Sequence, residues 1–408
     1  MNQIKNKDHK QIGQELELFF THDIAPGAPF WLPKGMVIFK ELEKYIRDLT
    51  EKAGYLETST PIMVKSELFK RSGHWVKFGE HNMYNLMLSD EVNDLNPISY
   101  TLKPMNCPES TILYRFKTRS YKELPLRFSE LGRLHRREKS GEVNGLLRVR
   151  QLTMDDAHIY CREDQIFQEV SNILDMMIAF YKNFGFEYEF RFATRPEQRA
   201  GTDAMWDKAE KDLEEVLKKK NIKAGDKKGD GAFYGPKIDM HIKDALGRDW
   251  QLATVQLDFH MPQAFDLQYV NEKGELEKPV MIHRAIFGSF ERFIAILTEQ
   301  YQGAFPLWLA PVQIMIMPIT DKQEPHAKKL VEELKENGIR VELDNRPQTL
   351  QAKIRDSSLQ KIPYLGIIGD REIKETNISI RTRAGEDLGK LEISKLIHKL
   401  REEIDKKI

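Results

Sequence analysis

The chain has 408 residues, of which 40% are hydrophobic and 31% charged, and its formal net charge is zero. That length allows two or three domains of ~100–200 residues each, and the composition is that of a globular protein. The charge balance excludes a uniformly basic nucleic-acid binder, so a polyanion would have to meet a local patch. Two cysteines, Cys107 and Cys161, are too few for a secreted disulfide framework and point to a reducing, cytoplasmic setting. Met1–Lys10 is polar, without the apolar core of a signal peptide. No run approaches the ~18 apolar residues of a membrane span.

In chain order, residues 36–53 read as an amphipathic helix, with Ile38, Leu42, Tyr45, Ile46 and Leu49 on one face. Gly54 is the stop, and a strand ending near Pro61 comes next. Leu124–Tyr160 reads as strand, polar loop, strand; the loop Glu138–Gly145 holds the turn formers Ser140, Gly141, Asn144 and Gly145. Helices follow over 163–184 and 203–220, the second so charged that it reads as a solvated face. Gly225–Gly231 is a flexible polar stretch. Strands over 248–260 and 280–284 lead into a helix from Ser289. Antiparallel strand-loop-strand units with helices around them predict an α+β domain over 1–307. Composition changes near Pro306–Pro311. Beyond it strand (312–319), helix (323–337), strand (339–343), helix (349–360), strands (364–368, 378–383) and helix (393–405) predict a separate small α/β domain over 308–408.

Three constellations could carry chemistry. Cys107, His158 and His283 are scattered, with no local metal motif, yet three soft or borderline ligands are the usual number for a functional zinc with one open position. Cys161 is a rival, but if His158–Cys161 is a strand the odd offset puts the two side chains on opposite faces. Arg127, Arg133, His135, Arg136, Arg137, Glu138, Arg148 and Arg150 lie on a predicted hairpin, where a guanidinium cluster would suit a polyphosphate; the plainer alternative is surface pairing with Glu130 and Glu142. Gly288-Ser289-Phe290-Glu291-Arg292 starts a helix with an arginine one turn in, a place to hold an anion. There is no P-loop, so ATP would be held by arginines on a strand platform.

Together these segments resemble the class II aminoacyl-tRNA synthetases. The helix and strand through Pro61 resemble the class's motif 1. Phe128–Asp156, with Arg136-Arg137-Glu138, resembles motif 2, and Gly288–Arg292 resembles motif 3. Within the class, Lys103-Pro104-Met105-Asn106-Cys107-Pro108, Asp155-Asp156-Ala157-His158, Gly231-Ala232-Phe233-Tyr234-Gly235-Pro236-Lys237 and Met281-Ile282-His283-Arg284-Ala285-Ile286 resemble the threonyl enzymes. The resemblance covers nearly the whole chain. It implies an antiparallel catalytic sheet flanked by helices, then an anticodon-binding domain. It also implies a cytoplasmic homodimer that joins L-threonine to tRNA(Thr) using ATP, Mg²⁺ and Zn²⁺.

Position by position, the resemblance makes Cys107, His158 and His283 the zinc ligands. Asp156 accepts from the threonine hydroxyl and Tyr234 meets the amino group. Arg136 bridges α-phosphate and carboxylate; Glu138, Arg148, Gln251 and Ser289 line the ATP site, with Arg292 at the γ-phosphate. His74 lies near the terminal ribose of the tRNA, and Glu372 and Arg381 read the anticodon. The chain departs from the commonest family pattern at Glu109-Ser110, Arg137, Leu152 and Met154. Bacterial-type relatives carry two further N-terminal domains, one of which clears seryl-tRNA. Here the catalytic domain starts almost at Met1, so the expectation is serine mischarging, corrected by a separate editing protein or not at all. The rival reading is a catalytically inactive synthetase-like RNA-binding protein. Its signature would be loss of Arg136, Arg292 or a zinc ligand, and none is lost.

Overall fold

The computed structural model describes residues 7–79, 82–88 and 98–407; residues 1–6 of the polar start lie outside them. The chain divides into two compact units. One is formed by Asp23–Ala28 and Ile46–Phe293, the other by the residues up to His22, Pro29–Tyr45 and those from Ile294 onward. The helix expected over 36–53 is α1 (Pro33–Lys52). It stops before Gly54, whose φ of 76° lies in the left-handed region that ends helices.

The first unit is built on an eight-stranded sheet. Its strands are β1 (Leu56–Glu57), β2 (Leu126–His135), β3 (Gln151–Cys161), β4 (Tyr188–Ala193), β5 (Ala224–Lys227), β6 (Lys237–Lys243), β7 (Asp249–Asp258) and β8 (Val280–Ser289). They lie in the order β5-β4-β6-β7-β8-β3-β2-β1. The two outermost pairs are parallel and all pairs between them antiparallel. The register sets Phe128, Glu130 and Gly132 of β2 beside His158, Asp156 and Met154 of β3, and pairs His158 and Asp156 with His283 and Ala285 of β8. Thr254 and Gln256 of β7 continue those rows. Because side chains alternate along a strand, all these residues share one face, the one that carries the site.

The reverse face is covered by α-helices; Phe180 of the helix Ile166–Asn183 stacks on Phe287 at 5.5 Å. With both faces covered, every residue from Asp155 to Cys161 is buried. β4 and β6 were absent from the sequence reading, although both alternate in hydropathy.

The second unit carries a five-stranded sheet of β9 (Ile314–Pro318), β10 (Val341–Leu343), β11 (Tyr364–Ile368), β12 (Asn377–Thr382) and β13 (Asp387–Glu392), ordered β10-β9-β11-β12-β13. β9 runs parallel to both neighbours, and the last two pairs are antiparallel. Its core holds Ile314, Ile316, Leu330, Leu334, Ile378, Ile380, Leu396 and Leu400. The predicted alternation of strands and helices is present, with one further helix, Asp370–Glu375, and the added strand β13. Among the described residues no helix is long and apolar enough to cross a membrane.

Candidate active site

Cys107, His158 and His283 meet in space: their donor atoms all lie within 4.8 Å of one another and all three residues are buried. His158 and His283 are register partners on β3 and β8, with ring centroids 5.0 Å apart. Cys107 opens the helix α2 (Cys107–Tyr114), where Pro108 suits the first turn. Asp258 Oδ2 sits 2.9 Å from His283 Nε2, fixing the ring so that Nδ1 is the free donor atom. His283 Nδ1 and His158 Nε2 are both buried without a hydrogen-bond partner. Burial pushes the Cys107 thiol well above its ordinary range, helped by the Asp156 charge. It also holds His158 well below the ordinary imidazole value, with His283 adding to the effect. Two orphaned imidazole nitrogens and a thiol in a closed space, one imidazole backed by a carboxylate, fit a zinc ion with an open position. Cys161 is excluded as expected: alternation puts it on the reverse face.

Asp156 stands one cross-strand row from the cluster. Its Oδ2 accepts from Asn106 Nδ2 at 3.1 Å. Burial, opposed by the nearby His283, raises its pKa to about 6. The neighbouring Asp155 faces the other way. It accepts from the backbone N–H groups of Ile286, Phe287 and Gly288 at 2.7, 3.3 and 2.9 Å. Those bonds pin an irregularity in β8, where the register jumps from Ala285↔Asp156 to Ser289↔Met154. The jump aims the Gly288-Ser289 segment and the following helix at the site. Sequence reasoning missed Asp155, because its role depends on backbone geometry.

The arginine cluster is smaller than expected. Arg127 and Arg133 occupy odd positions of β2, so alternation sends them to the reverse face. There Arg127 is gripped by both oxygens of Glu169 at 2.6 Å. Arg136, just past the strand, is half-buried, its Nε donating to Pro104 O at 3.2 Å. Desolvation lowers its pKa, while Glu138 and Asp156 act in the opposite direction. Arg292 receives support from Ser289, whose Oγ accepts from its backbone N–H at 3.2 Å. Its Nε donates to Leu147 O at 3.0 Å, and its guanidinium lies 5.6 Å from the Trp250 ring. Burial, then repulsion from Arg136 and Arg148, lowers its pKa. Two half-buried guanidiniums close enough to repel one another can together take a polyphosphate. Glu138 holds Arg148 through Nη2 at 2.7 Å, with Glu142 3.0 Å from the same nitrogen. The expected surface pairing is therefore real for Arg148. Glu130 is instead taken by Lys103 at 2.8 Å and by Thr60.

Tyr234 stacks on His283 with centroids 4.6 Å apart and donates its hydroxyl to Gln256. Gln251 joins the same face by way of a bulge: β6 and β7 pair Met240 with Ala253 but His241 with Gln251, skipping Leu252. His74 is enclosed in a short helix, its Nδ1 2.8 Å from Ser72 Oγ and its ring edge-on to Phe233. Desolvation, then the nearby His283, depresses its pKa to about 3, so it is neutral. Glu109 is buried on α2 with both carboxyl oxygens unpartnered, and burial lifts its pKa to about 8.

In the second unit, Glu372 accepts from Gly369 N–H and Ser379 Oγ, both at 3.0 Å. Ser379 and Arg381 share the face of β12 opposite Ile378 and Ile380, so Glu372 and Arg381 lie on one side of the sheet. The Arg381 Nε is buried without a partner.

An antiparallel platform with a half-buried arginine on the loop after one strand and a second at the start of the helix after another is the core of a class II tRNA synthetase. Residues 91–301 match the model of the tRNA synthetase class II core domain (G, H, P, S and T), and residues 313–403 match that of the anticodon binding domain. The chain is 49% identical over 408 residues to a threonine–tRNA ligase of Clostridium kluyveri, covering 100% of this chain and 63% of that protein. It is 47% identical, with the same coverage, to one from Clostridium tetani. A crystal structure of the RNA binding domain of threonyl-tRNA synthetase from Cryptosporidium parvum superposes with a TM-score of 0.92 at 37% identity, covering 97% of this chain and 98% of that one. The chain belongs to the threonyl-tRNA synthetase family. It spans 63% of the length of these curated relatives.

Proposed function

We propose that the chain joins L-threonine to tRNA(Thr) through a threonyl-adenylate, residues 1–307 carrying the chemistry and 308–408, with Glu372 and Arg381, reading the anticodon. The observation that carries this reading is the buried Cys107–His158–His283 cluster, whose donor atoms lie within 4.8 Å of one another, beside Asp156 and the half-buried Arg136.

In the first step the threonine carboxylate forms a bond to the α-phosphorus of ATP, the bond to the bridging oxygen breaks, and pyrophosphate leaves; Mg²⁺, when bound with ATP, would neutralise charge on the leaving group. The nucleophile is already ionised, so no base is required. The residues act by alignment and by spreading charge: Arg136 between carboxylate and α-phosphate, Arg292 toward the γ-phosphate, with Glu138, Arg148, Gln251 and Ser289 framing the nucleotide. In the second step a terminal ribose hydroxyl of tRNA attacks the adenylate carbonyl and AMP leaves. His74, neutral and bonded to Ser72, would relay the hydroxyl proton in this reading.

Zinc held by Cys107, His158 and His283 would supply a Lewis-acid contact to the amine and hydroxyl of the substrate. Asp156 would accept from that hydroxyl and Tyr234 would contact the amine. Valine, isosteric without the hydroxyl, would leave these buried groups unpaired, a loss that discriminates by ~10⁴ or more. Serine keeps the hydroxyl and lacks one methyl, worth only ~10–200-fold. The protein acts in this reading as a cytoplasmic homodimer.

Metal analysis paired with amino-acid-dependent ATP–pyrophosphate exchange tests the proposal. The expected result is one zinc per chain, exchange with threonine, weaker exchange with serine and none with valine, followed by charging of tRNA(Thr). A zinc-loaded protein that binds tRNA and gives no exchange would establish the inactive RNA-binding alternative instead.

A further inference from the structure

Asn106 occupies the N-cap position of α2, where an asparagine ordinarily turns its side chain back onto the helix N–H groups. Here it makes no cap hydrogen bond. It is fully buried, and its amide reaches across to the sheet, Nδ2 donating to Asp156 Oδ2 at 3.1 Å. Its Oδ1 is left buried without a partner. The amide fits there because position 132 on β2 is a glycine. A Cβ at Gly132 would lie 2.2 Å from Asn106 Oδ1 and 2.3 Å from Nδ2. Gly132 has an ordinary strand backbone and lies in the β2–β3 ladder opposite Met154, so no turn or positive φ requires a glycine there. Its evident structural consequence is the space it leaves for this amide. A helix cap, an acceptor's hydrogen bond and a strand side chain are thus all forgone around one contact to Asp156.

We propose that Asn106 is the positioning residue for Asp156 and that Gly132 is its cradle. By fixing Oδ2, the Asn106 amide sets the rotation of the carboxylate about its last bond and leaves Oδ1 to accept from the substrate hydroxyl. The pair therefore controls hydroxyl recognition, the basis of the choice between threonine and valine, without touching ATP. The assignment rests on the reading of Asp156 as the hydroxyl acceptor.

The test is pyrophosphate exchange with the full zinc-loaded chain. Asn106→Leu keeps size and removes the donor; Gly132→Ala displaces the amide from the opposite element, so two independent changes probe one contact. Both are expected to raise the KM for threonine ~10–100-fold, the usual consequence of losing a supporting hydrogen bond behind a site. The preference for threonine over valine should fall by a similar factor, while the KM for ATP and the zinc content stay unchanged. A merely structural role would shift both KM values together or leave selectivity alone. Either outcome in both variants overturns the proposal, as does a Gly132→Ala chain that behaves like wild type while Asn106→Leu fails to fold. Wild-type protein without threonine-dependent exchange would overturn the functional reading and this inference with it. Active wild type with unaltered variants would sink the inference alone.

Discussion

Asp155 and Asp156 are adjacent, both buried, and look out from opposite faces of one sheet. On the reverse face, Asp155 is saturated by three backbone N–H groups, with Arg284 3.6 Å away. On the site face, among the described residues, Asp156 accepts from the Asn106 amide alone. The same contrast holds for the cations: Arg127 is matched by Glu169 on the reverse side, whereas Arg136 and Arg292 repel each other on the site side. Charges paired on the reverse face hold the fold together. Like charges gathered on the site face, at a cost in desolvation, suit a ligand of opposite charge.

Exchanging the two aspartates for asparagine tests that division most strongly. Burial raises the Asp155 pKa to about 7 against the pull of Arg284 and the three N–H groups, so Asp155→Asn, which sets an amide N–H against those donors, is expected to cost about 1–3 kcal/mol of stability, the penalty for unsatisfied buried polar groups. Asp156→Asn should leave stability within about 1 kcal/mol of wild type, since it removes a poorly compensated buried charge. It should reduce threonine-over-valine selectivity by at least ~10²-fold, the scale set by an unpaired polar contact. Denaturant unfolding and pyrophosphate exchange on both variants read the two axes separately. A stable Asp155→Asn chain with lost selectivity would reverse the assignment. Next in size, Arg136→Ala should lower kcat/KM for exchange by ~10²–10³, as for one charge-stabilising donor, with little change in thermal unfolding.

Glu291 sharpens the comparison through pH. It starts the helix after β8, yet both its oxygens turn back to the Thr153 N–H at 3.1 and 3.0 Å, away from the site. Burial lifts its pKa from an ordinary 4.5 to about 7. The folded state therefore binds its proton more tightly than the unfolded state. The resulting stability is fully present below about pH 4.5 and is lost as pH rises through 7. Glu291→Gln, which cannot ionise, should abolish that part of the slope. Between pH 5 and 8 the wild type should lose up to about 3 kcal/mol more than the variant, with selectivity unchanged in both. Equal slopes would mean that Glu291 titrates normally.

Much of this division was legible in the sequence, and the parts that were not share a cause. Strand alternation alone removed Cys161 from the metal cluster. The same alternation, applied to β2, would have removed Arg127 and Arg133 from the phosphate site; they were grouped by residue type instead. β4 and β6 alternate clearly, as Tyr188, Phe190 and Phe192 or Ile238, Met240 and Ile242 attest, but each was passed over between longer segments. β3 hides its alternation because both its faces are buried. Residue type alone made Cys107, His158 and His283 candidate metal ligands, but only the family resemblance singled them out, since three residues so far apart carry no spacing signal. Asp155, Asn106 and Gly132 were silent for a deeper reason: each acts through a backbone irregularity or a close approach that exists only after the sheet and α2 have formed.

The smallest predicted effect is the best control on the reverse face. Arg127 and Glu169 form a two-oxygen pair at 2.6 Å, with the arginine side chain 23% exposed and the glutamate 4%. Its pKa is raised, first by the hydrogen bonds to Glu169 and against the desolvation of burial. A pair at such a boundary lies between an exposed ion pair, worth about 0–1 kcal/mol, and a buried one. Arg127→Met, which retains most of the aliphatic stem but strands the Glu169 charge, should therefore cost about 1–2 kcal/mol. Replacing both partners, Arg127→Met with Glu169→Leu, should recover most of that loss, because no buried charge is left alone. Pyrophosphate exchange should be unchanged in the single and double variants alike. A tenfold loss of exchange in Arg127→Met with stability intact would place Arg127 back among the phosphate-binding arginines and break the partition between the two faces.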